Sequence, residues 1–224
     1  MKINLHTHTN YSDGYATMRE YVNLAKEQNH VALVITDHDY MLKRSKISTI
    51  CITTDEDTHI KQQQFIDQIL EASTITREEG FPVIVGLEIS LGVEEALLFG
   101  QLACIDWFNY RKEINNNIYK DDKLLRNFLI KHEHAIVLCH PYDISYADTN
   151  LMSFWDIFHG YEVKNCIKTW NTSELNILKA LMPNAKQYKN FDSHHLDHFN
   201  GECNSVNSYI GNEMELIQFI KGVK

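Results

Sequence analysis

The sequence is short of the residues that break up a chain. Three prolines and nine glycines serve all 224 positions. No internal repeat, low-complexity stretch or linker composition separates one part from another, which points to a single domain over residues 1–224. No apolar run reaches the roughly 18 residues a membrane span needs, and no leader of basic then apolar residues precedes the first strand-like run at Ile3. Cysteine is scarce and scattered. Cys51, Cys104, Cys139, Cys166 and Cys203 form no CxxC pair and are odd in number, which argues against a disulfide framework and fits a reducing, cytoplasmic setting. Cys139 lies in the apolar run Ile-Val-Leu-Cys and reads as a small buried hydrophobe. Positive charge is also in deficit, with 21 basic against 30 acidic residues and a net charge of −9. Such a surface repels duplex nucleic acid. It does not bar a short anionic substrate, because bound cations reverse the local field.

What remains is an alternation of apolar strands and amphipathic helices. Hydrophobic residues at 44% and charged residues at 23% are the mixture of a soluble globular protein. Residues 2–8 read as a first strand, followed by a helix over 18–29 opened by the capping box Thr17 to Glu20. Val31 to Ile35 is a continuous apolar run, as expected of a strand covered on both faces. An excursion over 41–54 precedes a long helix over 56–79 that Gly80 ends. Further strands are expected at 82–87, 96–103, 135–139, 160–163 and 185–191. Helices are expected at 121–132, 172–181 and 213–221, with helical character at 151–158. The Asn-rich stretch 106–120 reads as loop or irregular helix. Repeated β-α-β units with apolar strands imply a parallel sheet covered by helices, and six or seven of them in this length suggest a small barrel.

Histidine is the residue in supply, with 12 in all. His6 and His8 are two apart in the first strand, so their rings share one side. Asp13 follows in the turn Ser12-Asp13-Gly14. The next strand ends at His38, and others end at Glu88, at His140 and at Asp192-Ser193-His194. Imidazole and carboxylate are ligands for divalent metals, and in α/β barrels the reactive groups come from the C-terminal ends of several strands. One such residue is unremarkable; five strand ends carrying them point to a metal site. His30, His59, His132, His134 and His159 lack such context and read as surface residues. His195, Asp197 and His198 do so too.

The series His-Thr-His then Asp13, Thr-Asp-His at 36–38, Gly-Leu-Glu-Ile-Ser at 86–90, Cys-His-Pro-Tyr at 139–142 and Asp-Ser-His at 192–194 resembles the polymerase-and-histidinol-phosphatase (PHP) family. The resemblance runs from His6 to about His195. It implies a distorted (β/α)7 barrel and a metal-dependent phosphoesterase holding two or three divalent ions, whether zinc, manganese or iron. By the same resemblance His6, His8, Glu88 and Asp192 hold one ion. Glu88 bridges to a second, which His140 also holds. Asp13, His38 and His194 hold a third. The sequence departs from the family pattern at one place: a histidine is usual shortly after the Glu-Ile-Ser motif, and Glu95 stands nearest that position. A carboxylate there favours a harder metal such as manganese.

The chemistry this implies is attack on phosphorus by water that the metals activate, with the metals also neutralising the phosphoryl oxygens. Asp13, His38, Glu88 and His194 are the candidate catalytic residues; Lys43, Arg44 and Tyr142 are candidates for holding the substrate. The expected partner is a small phosphate monoester, a nucleotide or a short single-stranded oligonucleotide. Two other readings use the same residues. One is an amidohydrolase-type barrel, which would normally bridge its metals with a lysine rather than Glu88. The other is a metal-binding regulatory module with a degenerate site.

Overall fold

The computed structural model describes residues 1–39, 55–91, 94–114, 122–141, 155–166 and 170–223. The expected excursion at 41–54, the 115–120 end of the Asn-rich 106–120 stretch, Lys43, Arg44, Tyr142 and Cys51 lie outside these residues; the earlier part of that stretch, expected as loop or irregular helix, is regular α-helix through Glu113.

Strand β1 (Lys2–Ile3) leads to helix α1 (Met18–Glu27), which starts at the expected capping box: Thr17 accepts from the Glu20 amide while the Glu20 carboxylate accepts from the Thr17 amide. Such a cap stabilises a helix by about 1 kcal/mol. Strand β2 (Leu33–His38) and helix α2 (Asp55–Glu79) follow, and Gly80 at φ 60° ends the helix as expected. Strands β3 (Val83–Ser90) and β4 (Glu95–Phe99) come next, then helices α3 (Gln101–Glu113) and α4 (Asp122–Ile130), then strand β5 (Ala135–Leu138). Strand β6 (Gly160–Lys164), helix α5 (Thr172–Leu181), strand β7 (Lys186–Lys189), the short strand β8 (Asn204–Ser205) and helix α6 (Glu213–Lys221) complete the chain.

Six strands form one sheet in the order β2-β3-β4-β5-β6-β7. It is parallel except at β4, which runs antiparallel to both neighbours. A uniformly parallel sheet was expected, and the strand at 96–103 was expected to run on through Ala103. Instead the chain turns at Gly100, whose φ of 118° an L side chain rarely adopts, and α3 begins at Gln101. The antiparallel course of β4 matters for the site. It brings the start of that strand, at Glu95, level with the end of β3, where Glu95 pairs with Ser90.

The first strand is shorter as a ladder than residues 2–8 suggest, yet those residues close the sheet. On one side the Val31 and Thr36 amides donate to the carbonyls of Lys2 and Thr7; on the other the His8 amide donates to the Ser193 carbonyl. Side chains complete the seam. The Asn4 carboxamide accepts from the Phe191 amide at 2.8 Å and that of Asn190 from the Leu5 amide at 3.1 Å. The segment thus joins β2 at one edge of the sheet to the stretch after β7 at the other, and the sheet curls toward a barrel. Among the described residues this gives a curled six-stranded sheet closed by one further segment, consistent with an α/β barrel-like fold.

Period-two alternation divides the strands into two faces. Leu33, Ile35, Val83, Val85, Leu87, Leu98, Ile136 and Tyr161 pack outward under the helices. Val34, Ile84, Leu97, Val137 and Cys139 face inward with Ile3 and Leu5, and α6 adds Leu216, Ile217 and Ile220 to that cluster. Further along the same inward face come His38, Glu88 and Glu162. The apolar layer therefore supports a polar one.

Candidate metal centre

Glu88 is the middle of the polar layer. It is fully buried, near the end of β3, in register with His38 on β2. Its Oε1 lies 3.2 Å from His6 Nε2 and 3.0 Å from His140 Nε2. Its Oε2 lies 3.2 Å from His8 Nε2 and 2.9 Å from His38 Nδ1. One carboxylate thus faces four imidazoles from three parts of the chain. Asp192 Oδ1 approaches two of them, at 3.5 Å from His6 Nε2 and 3.3 Å from His8 Nε2. Asp192 has φ 52°, in the left-handed region that non-glycine residues rarely occupy, a local cost of about 1–3 kcal/mol of the kind that collects at functional sites.

A second group lies beside the first. Asp13 Oδ2 is 3.2 Å from His194 Nε2 and 3.6 Å from His38 Nε2, and Asp13 Oδ1 is 3.7 Å from His8 Nδ1. The His8 ring stacks between those of His38 and His194, at 4.4 and 4.2 Å. His8 thus reaches both groups, one ring nitrogen to each. Glu95 sits against the other side of Glu88, 3.7 Å from His140 Nε2 and 3.9 Å from His38 Nδ1. All nine metal-type residues expected from the sequence converge here. Cys139, expected as a buried hydrophobe, is buried, but its sulfur also falls in a donor cluster with His6, Glu88 and His140.

These donors fit divalent ions. Atoms about 2.0–2.2 Å from a shared ion lie about 3.0–3.5 Å from one another, and most contacts around Glu88 and Asp192 fall in that range. Among the described residues, four groups of three or more donors have ligand atoms within 4.8 Å of one another. His6 Nε2 and His8 Nε2 point at each other across 3.0 Å, where two lone pairs repel unless a proton or a cation stands between them. His8 Nδ1 is buried with no hydrogen-bond partner among the described residues.

Without a cation the cluster keeps charge by other means. Burial works against protonation of His6 and His38, but Glu88 with Asp192 and Glu162 around His6, and Glu88 with Asp13 around His38, raise both well above the usual imidazole range. Burial likewise opposes the charge on His140, which hydrogen bonding to Glu88 nevertheless pushes up to about 9. His194 is raised by Asp13 against burial. Burial alone would raise the acids, yet the histidines hold Asp13, Asp192 and Glu88 below their ordinary range. Glu95 goes the other way: burial and then the like charge of Glu88 raise it.

Two buried carboxylates that the sequence reading overlooked border the cluster. Asp37 accepts from the Thr9 amide and hydroxyl, both at 2.7 Å, and from Ser12 Oγ and Gln68 Nε2, which pins the turn that carries Asp13. Glu162 on β6 contacts His6, Asn190 and the His140 amide. The alternation of Gly160 and Glu162 against Tyr161 and Val163 was the available hint that Glu162 faces inward. His30, expected at the surface, is buried against Phe191 and Phe199. His195 and Asp197 are exposed and His198 half-buried.

Residues 4–202 match the family model described as PHP domain. A search of curated proteins returned no match. Among solved structures the fold is similar to a protein from Bifidobacterium adolescentis provisionally described as a metal-dependent phosphoesterase, at 14% identity and TM-score 0.52, covering 97% of this chain and 95% of that one. It is similar to an amidohydrolase from Chromobacterium violaceum with bound sulfate and no metal, at 14% identity and TM-score 0.54, covering 98% and 97%. A two-domain protein from Bacteroides vulgatus containing a predicted PHP-like metal-dependent phosphoesterase matches at 17% identity and TM-score 0.54, over 89% of this chain and 53% of that one.

Proposed function

The chain belongs to the PHP domain family, a family of metal-dependent hydrolases, and from that premise we propose that it hydrolyses a phosphoester of a small or short anionic substrate. The observation that carries this reading is the Glu88 carboxylate with four imidazoles within 3.2 Å, flanked by Asp13, Asp192 and Glu95. His6, His8, Glu88 and Asp192 would hold one ion, Glu88 with His140 and Glu95 a second, and Asp13, His38 and His194 a third. Bound there, divalent ions would acidify water to supply the nucleophile and neutralise charge on the phosphoryl oxygens.

The chain's own residues set where this happens. His6, His8 and Glu88 are fully buried, whereas Asp13, His194 and Glu95 are 32%, 25% and 23% exposed. Substrate therefore enters past Asp13, His194 and Glu95. Asp13, His38 and His194 then stand at the leaving oxygen, and Glu88 holds the centre together. Lys43, Arg44 and Tyr142 are kept as candidate contacts to the substrate's phosphate. The net charge of −9 favours a phosphate monoester, nucleotide or short single strand over duplex DNA. The reading takes residues 1–224 as one catalytic domain. A reducing, cytoplasmic setting is supported by free thiols at Cys104, Cys139, Cys166 and Cys203, and no helix among the described residues is long and apolar enough to cross a membrane.

The test is metal analysis of purified protein together with a panel of nucleotides, sugar phosphates and 5′-phosphorylated oligonucleotides, assayed with manganese, zinc or iron. Hydrolysis that disappears with chelator and returns with metal is expected. Cleavage of amides with phosphoesters untouched would move the protein to the amidohydrolase class. Tight metal binding without any hydrolysis would make it a binding module.

A further inference from the structure

Strand β6 puts a carboxylate on the inward face that is not in the ligand set. Its Glu162 belongs to none of the four donor clusters, yet the side chain is fully buried beside them. Oε1 lies 2.8 Å from His6 Nδ1 and accepts from Asn190 Nδ2 at 2.9 Å. Oε2 accepts from the His140 backbone amide at 2.9 Å. A carboxylate offers acceptors only, and each of its oxygens here meets a donor.

We propose that Glu162 is a positioning residue that fixes the tautomer of His6 and ties the first-strand ligands to His140, so that both parts of the metal cluster are set by one carboxylate. The inference rests on the metal-binding half of the proposed function and not on the substrate. Glu162 requires a proton on His6 Nδ1. The lone pair of His6 is then on Nε2, the nitrogen that faces His8 Nε2, Glu88 Oε1 and Asp192 Oδ1. Carboxylates behind metal-binding imidazoles fix ring orientation and raise ligand basicity in this way. The second oxygen acts through the backbone. By holding the His140 amide, at the end of β5, it sets the point from which that imidazole reaches Glu88.

The orientation of Glu162 is itself fixed. Asn190 cannot turn its carboxamide around, because its Oδ1 already accepts from the Leu5 amide and from Asn204 Nδ2, which leaves Nδ2 to face Glu162. A relay of hydrogen bonds, half-buried at Asn204 and buried beyond it, therefore runs from Asn204 through Asn190 and Glu162 to His6.

Glu162→Gln separates this role from simple packing, since volume is almost unchanged. Three donors then confront one carbonyl oxygen, and either orientation sets the new NH2 against a donor: against the His140 amide, which displaces that ligand, or against Asn190 Nδ2 and His6 Nδ1. In the second orientation the imidazole must move its proton to Nε2 to accept from the NH2, where it blocks metal binding. The experiment measures manganese and zinc affinity by calorimetry, metal content of the loaded protein, and histidine tautomers by nitrogen-15 NMR, with fold monitored by urea unfolding in EDTA. We expect a 10–100-fold loss of metal affinity, a lower metal content and, in the second orientation, a His6 proton on Nε2. Equal metal affinity and content in Glu162→Gln would overturn the proposal. If the variant does not fold, zinc-loaded wild-type protein decides the matter: His6 protonated on Nδ1 supports it, and His6 protonated on Nε2 overturns it. Wild-type protein that binds metal but cleaves no phosphoester would refute the substrate reading and leave this one standing.

Discussion

Stripping divalent metal from the protein should make it less stable as pH rises from 6.5 to 9, and restoring the metal should reverse that slope. In the metal-free cluster His140 is raised from 6.5 to about 9: burial opposes its charge, but Glu88 more than compensates. A raised imidazole contributes its full stabilisation below 6.5 and loses it as pH climbs through about 9. At 1.36 kcal/mol per unit, His140 alone is worth about 3 kcal/mol. The same pairing viewed from Glu88 adds nothing further. His6, His38 and His194 are raised too and act in the same direction. Asp13, Asp192 and Glu88 are lowered, so their contribution is present above the ordinary carboxylate range and is lost on acidification. The metal-free protein should therefore be most stable at about pH 4.5–6.5 and drop by roughly 6–12 °C in Tm toward pH 9. Metal needs neutral imidazole, so uptake near pH 7 must release protons, and affinity should rise about tenfold per pH unit for each proton released. Melting curves at pH 6, 7.5 and 9, with EDTA or with manganese, test the slopes. Calorimetry in buffers of different ionisation enthalpy counts the protons. A flat EDTA series from pH 6 to 9, together with metal uptake that releases no proton, would refute the reasoning.

Other perturbations probe separate parts of the centre. A Cβ on Gly14 would lie 2.4 Å from the His8 carbonyl oxygen and 2.7 Å from the Thr9 nitrogen, both backbone; Gly14→Ala should shift the Asp13 turn and reduce metal content while leaving far-ultraviolet circular dichroism unchanged. Glu95→Ala should lower manganese content more than zinc content, because a hard oxygen donor is lost; unchanged content of both would remove Glu95 from the ligand set. Asp37→Asn confronts the Thr9 amide, Thr9 and Ser12 hydroxyls and Gln68 amide with a single carbonyl acceptor, and should cost about 1–3 kcal/mol in urea unfolding. Trp107→Phe removes the 2.7 Å hydrogen bond from the indole to buried Asp39 and should cost a similar amount without changing metal content.

The candidate site was more legible in the sequence than the path of the chain. Metal-type residues at strand ends form a pattern in chemical identity and position together, and two-residue periodicity was enough to say that His6 and His8 share a side. Helix α1 was legible for a similar reason, since Thr17 to Glu20 satisfies amides locally; α5 was expected at its observed position, and the structure adds a cap of the same kind from Asn171 to Glu174. The reversal at β4 was not. Ala96 to Ala103 is apolar but for Gly100 and Gln101, and nothing local says whether Gly100 continues a strand or starts a helix. Tertiary pairing decides that. Glu162 was hidden because a lone acid in a short strand has no partner in sequence; its partners are His6 and Asn190, 156 and 28 residues away. His30 was misjudged for the converse reason, since Phe191 and Phe199 bury it from the far end of the chain.

The asparagine-laced seam has a consequence for how the protein is made. The bond from the Phe191 amide to Asn4 spans 187 positions, and candidate ligands from both ends of that span, His6 and Asp192, share one cluster. Loop closure over such a distance comes late, after local helices and hairpins have formed. During synthesis the first-strand histidines leave the ribosome long before Asp192 exists, and they must wait without their partners. Metal capture by the group of His6, His8 and Asp192 would therefore wait until the chain has been made through Asp192: a nascent chain truncated before β7 has the family's first motif without that carboxylate beside it.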